Sequence, residues 1–106
     1  MNPADLLDID SRIHEPGRLA ILAALVQAGG RLTWRELEKA TGISSAGLYN
    51  RLGKMTRDRL IQCGGSCRPR SLERRKAVAV VLDPKAREAI DSWVETARAA
   101  ADLLAP

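Results

Sequence analysis

The sequence predicts a mainly α fold carrying a two-stranded β-wing, an α+β chain that makes one domain over residues 1–106. Apolar residues recur at helical spacing near residues 16–28, 33–40, 44–58 and 84–104, whereas Lys76–Leu82 (KAVAVVL) is a β-branched, turn-free run that suits a strand. The composition is 45% hydrophobic with no Phe, so one modest core must be built from Leu, Ile, Val and Ala around very few aromatic rings.

The elements follow in order. Pro3 to about Ile13 carries Leu6, Leu7, Ile9 and Ile13 in a short, partly amphipathic helical stretch that a small domain cannot fully cover. Pro16 stands where a first helical turn tolerates it, and Leu19–Ala28 is apolar on nearly every side before Gly29-Gly30 stops it. That helix is expected at the buried centre, with His14 capping or packing at its start.

Next comes LTWRELEKATGISSAGLYNRLGKMTRDRLI, Leu32 to Ile61. Thr33 precedes Glu36 by three residues, the spacing of a reciprocal N-terminal cap, so a helix should begin there. It should stop near Ala40, because Gly42 can take the left-handed conformation. Ser44 then caps a second helix in which Leu48, Leu52 and Met55 form one apolar stripe. At about 100° per residue, Ala46, Asn50, Gly53 and Arg57 point furthest from that stripe, with Tyr49 and Lys54 on its flanks. Two helices joined by a tight turn, the second presenting polar residues outward, make a helix-turn-helix, which places one helix in the major groove of DNA. Ser44, Ser45, Ala46, Tyr49, Asn50, Gly53, Lys54 and Arg57 are its candidate DNA-contacting residues. Asn50 suits the N6/N7 edge of adenine, and Lys54 and Arg57 suit phosphate. Gly53 admits two readings, close approach of another backbone or a tolerated surface glycine.

Leu60–Cys63 and Lys76–Leu82 then read as the two strands of a hairpin whose long tip is rich in Gly, Ser, Pro and Arg. Arg68, Arg70, Arg74, Arg75 and Lys76 make that tip a basic arm beside the second helix, able to straddle a phosphate backbone or enter a minor groove. From Ser44 to Leu82 nine Lys/Arg face two acids, a net of +7, while residues 1–43 and 83–106 carry −1 and −2. Such a partition is what a polyanionic partner requires.

Asp83-Pro84 reads as a cap and a first-turn proline opening a helix to about Leu104. Along it Ala86, Ile90, Trp93, Ala97, Ala100 and Leu104 recur at alternating spacings of four and three, a heptad-like seam. A core this small cannot cover its whole length. Residues 3–13 and 84–104 are therefore the expected dimerisation helices, with Leu6, Leu7, Ile90, Trp93, Ala97, Ala100 and Leu104 at the contact.

With these elements in place the chain resembles the small archaeal and bacterial winged helix-turn-helix transcriptional regulators of the MarR/ArsR-like superfamily. The segments that carry the likeness are IHEPGRLAILAAL (Ile13–Leu25), LTWRELEKATGISSAGLYNRL (Leu32–Leu52) and LDPKAREAI (Leu82–Ile90). The resemblance implies a homodimer that binds a pseudo-palindromic operator in double-stranded DNA and dimerises through its terminal helices. Two departures stand out: Arg59 occupies the place where such proteins usually turn out of the recognition helix with Gly, and Cys67-Arg68-Pro69-Arg70 runs on into SLERRK, which leaves the register of Ser71–Lys76 open.

Other functions find less support. His14 is the sole His, no Gly-rich phosphate loop is present, and no paired carboxylates fall on one expected face, so no enzyme is expected. No run approaches the length of a membrane span and the acidic MNPADLLDID lacks the features of a secretion signal, which gives a cytoplasmic expectation without a membrane partner. Cys63 and Cys67 are taken as reduced structural thiols, ahead of a redox pair or half of a metal site, since a tetrahedral zinc site would need further ligands. No cofactor is expected, and the sequence names no effector. The rival within the same fold is a module that binds RNA or protein without a specific operator.

Overall fold

A computed structural model describes residues 2–64 and 78–105. Its elements are a 3-10 helix η1 (Pro3–Asp8), α1 (Pro16–Gln27), β1 (Arg31–Thr33), α2 (Trp34–Thr41), α3 (Ser45–Arg57), β2 (Ile61–Cys63), β3 (Ala79–Leu82) and α4 (Ala86–Leu104). The sheet runs β1-β3-β2 and is antiparallel throughout.

The two-stranded wing expected from sequence is therefore a three-stranded sheet. Leu32 lies opposite Val80 on one side of β3 and Cys63 lies opposite Val80 on the other. Three residues are too few to show an alternating pattern, and Arg31–Thr33 reads in sequence only as the approach to a helix. Pairing supplies what the local pattern lacks: fully buried Val80 has a neighbouring strand on both edges, and the Val78 carbonyl accepts from Trp34 N–H at 3.0 Å.

Other boundaries moved for local reasons. The N-terminal segment is not helical to Ile13. It ends at Asp8, and Asp10 then folds a turn by accepting from the backbone of Arg12 at 2.9 Å and, through its carbonyl, from Ile13 and His14. Asp83 does not cap α4 directly. Its side chain accepts from Lys85 N–H at 2.9 Å and its carbonyl from Ala86 N–H at 2.8 Å, so Pro84 sits in a turn and the helix opens two residues later. The third strand is described from Ala79, and Lys76 lies outside the described residues.

One core joins these pieces. Ile21, Leu22 and Leu25 of α1 form the expected centre, packed by Trp34 and Leu37 of α2, Leu48, Leu52 and Met55 of α3, and Val80 of β3. Burying each such aliphatic side chain contributes roughly 1.5–3 kcal/mol. Ala86 and Ile90 join it from the first turns of α4, and η1 lies against the same helix. Ala89, Trp93 and Val94 pack at the edge of that core, and α4 is exposed at every position from Ala101 to its end at Leu104. No helix among the described residues is long and apolar enough to cross a membrane.

Candidate nucleic-acid interface

The helix-turn-helix forms from the caps the sequence supplies. The Thr33 hydroxyl accepts from Glu36 N–H at 3.1 Å while the Glu36 carboxylate accepts from Thr33 N–H at 3.0 Å. Gly42 takes φ +70° at the end of α2, donating to the Glu38 carbonyl. Thr41 stitches the turn: its hydroxyl donates to the Leu37 carbonyl at 2.7 Å and accepts from Ile43 N–H at 3.2 Å. Ser44 accepts from Gly47 N–H at 3.1 Å and opens α3.

The apolar stripe of Leu48, Leu52 and Met55 is fully buried, which turns the opposite face outward. Ser44, Ala46, Tyr49, Asn50, Lys54 and Arg57 are exposed, while Ser45 and Gly53 are half-buried. Lys54 and Arg57 have no ion pair among the described residues. At Gly47, a Cβ would lie 2.7 Å from Cγ2 of Ile43, a side chain packed on the core, so packing favours glycine there.

Not every cation of the basic segment is free for a ligand. Arg51 grips Glu15 with a fork, Nη2 at 2.8 Å from Oε1 and Nε at 3.2 Å from both oxygens. Glu15 also accepts from Arg18 N–H at 2.6 Å, so this side chain, rather than His14, caps α1. The Arg51 guanidinium, helped by those backbone donors, holds the Glu15 carboxyl down to about 2. One turn further on, Arg18 donates to Asp58 at 3.0 Å and to the Arg12 carbonyl at 2.7 Å. Asp58 is the C-cap of α3. Two ion pairs of opposite polarity thus tie the start of α1 to the middle and the end of α3. Sequence reasoning missed this clamp. Its signal was Glu15-Pro16, an acidic residue just before an N-terminal proline, but nothing in the sequence paired Glu15 with Arg51.

Between these elements lies a cleft of about 340 Å³ lined by Glu15, Arg18, Asn50, Arg51 and Lys54. Its acid is already paired, so Asn50 and Lys54 form a donor-rich wall beside the outward face of α3.

The exit from α3 resolves the anomaly at Arg59. Leu60 N–H donates to the Met55 carbonyl at 3.0 Å and Arg59 N–H to the Thr56 carbonyl at 3.1 Å, the two bonds of a Schellman motif. Arg59 takes the left-handed position with φ +58°, where glycine is usual. The same paired bonds close α1 through Gly29 and Gly30.

The predicted wing residues Arg68, Arg70, Arg74, Arg75 and Lys76 lie outside the described residues, as does Cys67. Cys63, expected as a reduced thiol, is disulfide-bonded. That expectation rested on the reducing character of the cytoplasm rather than on any geometry of the chain. Of the expected dimer residues, Ile90 is buried in the chain's own core and Trp93 packs against that core. Leu6, Ala97 and Ala100 are half-buried, while Leu7 and Leu104 are 88% and 80% exposed.

The fold is similar to that of a crystal structure described as an ArsR family transcriptional regulator, with a TM-score of 0.57 over 96% of this chain and 95% of that one. The chain has the winged helix-turn-helix fold. At 17% sequence identity the likeness is one of fold. No protein-family model matches the sequence, and no curated protein matches it significantly. In winged-helix terms α2 and α3 are the helix-turn-helix, β2 and β3 lead into and out of the wing, and α4 is the C-terminal helix.

Proposed function

We propose that this chain is a transcriptional regulator that binds double-stranded DNA in a sequence-specific manner as a homodimer, α3 entering the major groove. The observation that carries the reading is the outward face of α3: exposed Asn50, Lys54 and Arg57, on a helix clamped to α1 at two points. Such a face offers an amide that can read adenine and cations that can hold phosphate, while the clamp fixes their angle to the domain. The concentration of positive charge between Ser44 and Leu82 supports the same partner, as does the solved fold neighbour described as a transcriptional regulator. The basic residues from Arg68 to Lys76 would contact the backbone or a minor groove, and η1 with the outer part of α4 would meet a second copy.

Selection of bound fragments from genomic DNA, followed by titration of the selected site, tests the proposal. Binding should weaken steeply with salt, and Asn50→Ala should relax base preference by about 1–3 kcal/mol at the position it reads. An equal loss on every sequence would remove the base-reading role of Asn50. Salt-resistant capture of a protein, or preference for RNA, with weak and sequence-blind duplex binding would replace the DNA reading by the interaction-module reading.

A further inference from the structure

Among the cations of α3, Arg51 stands apart. Lys54 and Arg57 have no ion pair among the described residues, whereas Arg51 is folded back onto α1 and forked on Glu15. Yet Arg51 lines the same cleft as Asn50 and Lys54, which opens beside the outward face of the helix. Its guanidinium sits in a shaped seat. Glu15 takes Nε and Nη2, the Gly47 carbonyl accepts from Nη1 at 3.4 Å, and Gly17 leaves room for the group, since a Cβ there would fall 1.9 Å from Nε.

The seat is not sealed. The side chains of Arg51 and Glu15 are 33% and 36% exposed, and an ion pair that open adds modestly to stability. What it changes more is the charge that α3 shows to a polyanion. Glu15 is the one acid among the described residues that line the cleft, and its two oxygens offer a guanidinium the same bidentate geometry that a phosphate does. The carboxyl is held down to about 2, so the pair stays charged at neutral pH.

We propose that Glu15 is a positioning residue that stands in for a DNA phosphate: it keeps Arg51 turned toward α1 and off the DNA backbone, and so holds down sequence-blind affinity while Asn50 and Lys54 face the groove. This role rests on the DNA-binding reading of α3. With Glu15 neutralised, a guanidinium on a long flexible stem is released beside Asn50, where the phosphate of any duplex can take it. Phosphate contacts carry no base information, so the added contact strengthens binding to every sequence and increases the competition from non-specific sites.

Fluorescence anisotropy of a short duplex of scrambled sequence, titrated with the protein across a NaCl series, tests this role. Relative to the parent chain, Glu15→Gln is expected to bind about fivefold more tightly near about 0.1 M salt and to steepen the slope of log affinity against log salt by about one, the signature of one added phosphate contact. Glu15→Ser, which keeps a favoured N-cap while removing the fork, should do the same. A loss of folded protein lowers affinity and adds no phosphate contact, so it does not mimic this result. Adding Arg51→Gln to Glu15→Gln should return the slope to the parent value. Glu88→Gln, the same charge change at an exposed site on α4, should leave the parent slope as it is. The proposal is overturned if the parent binds the duplex in a salt-dependent manner and neither Glu15 variant steepens the slope, if the double variant keeps the steeper slope, or if Glu88→Gln matches Glu15→Gln. A parent chain without salt-dependent duplex binding overturns the DNA reading itself, and this role of Glu15 with it.

Discussion

Glu15 and Arg51, thirty-six residues apart, meet in a forked ion pair in which one carboxylate both caps α1 and anchors the middle of α3. The candidate recognition helix is thus held by a residue outside the helix-turn-helix. That coupling has a pH signature. The folded Glu15 carboxyl titrates at about 2 against an ordinary 4.5, so its contribution is fully present above pH 4.5 and is lost as pH falls through that window toward 2. Glu15→Gln should cost about 1 kcal/mol at neutral pH, chiefly through the lost charge facing Arg51, since the amide oxygen can still accept from Arg18 N–H, and its stability gap from the parent chain should narrow between pH 4.5 and 2. Urea unfolding at a series of pH values measures this; a gap independent of pH would contradict the assignment.

Gly17 makes a sharper test of the same contact. A Cβ at this position would fall 1.9 Å from Arg51 Nε, so Gly17→Ala forces the guanidinium to shift from its present seat against Glu15. Alanine is ordinarily better than glycine in a helix by up to about 1 kcal/mol. Gly17→Ala should nonetheless destabilise the parent chain, yet stabilise an Arg51→Ala background where the obstacle is gone. A double-mutant cycle by chemical denaturation reads that change of sign, and additive effects would count against it.

Arg59 predicts a change in the favourable direction. A left-handed residue other than glycine costs roughly 1–2 kcal/mol, partly offset by the greater unfolded-state freedom of glycine. Arg59→Gly should therefore raise stability by about 0.5–1 kcal/mol, since the two closing hydrogen bonds use backbone alone. A lowered denaturation midpoint would mean that the Arg59 side chain does more for the fold than its backbone costs.

These residues also mark what was legible in the sequence. Caps and turns could be read because their chemistry is local: Thr33 with Glu36, Gly42, and Ser44 with Gly47 each act within a few positions. The buried stripe of α3 follows from periodicity, and the outward placement of Asn50, Lys54 and Arg57 follows from the stripe. Strand β1 could not be read, because its identity resides in β3, almost fifty residues away. The clamp of Glu15 on Arg51 and Arg18 on Asp58 is invisible for the same reason: four charged residues look like a solvated surface until the fold brings them within hydrogen-bond distance. The need for glycine at Gly47 could not be read, because it depends on a neighbour in space, here Ile43.

His14 and Trp93 join the chain's two ends. The indole Nε1–H donates to His14 Nδ1 at 3.2 Å, with ring centroids 6.2 Å apart. Only an imidazole with a free lone pair at Nδ1 can accept this bond, so the contact fixes both tautomer and ring orientation. His14→Ala should cost about 1 kcal/mol and shift the Trp93 indole resonance while leaving that of buried Trp34 in place. Movement of both indole signals would indicate a rearranged core instead of a lost local bond.

The far end of α4 carries the last prediction. Only Ala86 and Ile90 of its nineteen residues are buried, Trp93 and Val94 pack against the edge of the core, and Leu103 and Leu104 stand 40% and 80% exposed. Leu7 of η1, the element laid along α4, is 88% exposed. Three exposed leucines on two adjoining elements would be covered in a dimer, and their loss should then affect association more than folding. Leu104→Lys together with Leu7→Lys should move the sedimentation coefficient from a dimer to a monomer value at micromolar concentration, with little change in far-ultraviolet circular dichroism. It should also abolish any dependence of the thermal midpoint on protein concentration. A parent chain that sediments as a monomer at high micromolar concentration would rule out this surface as a stable dimer contact.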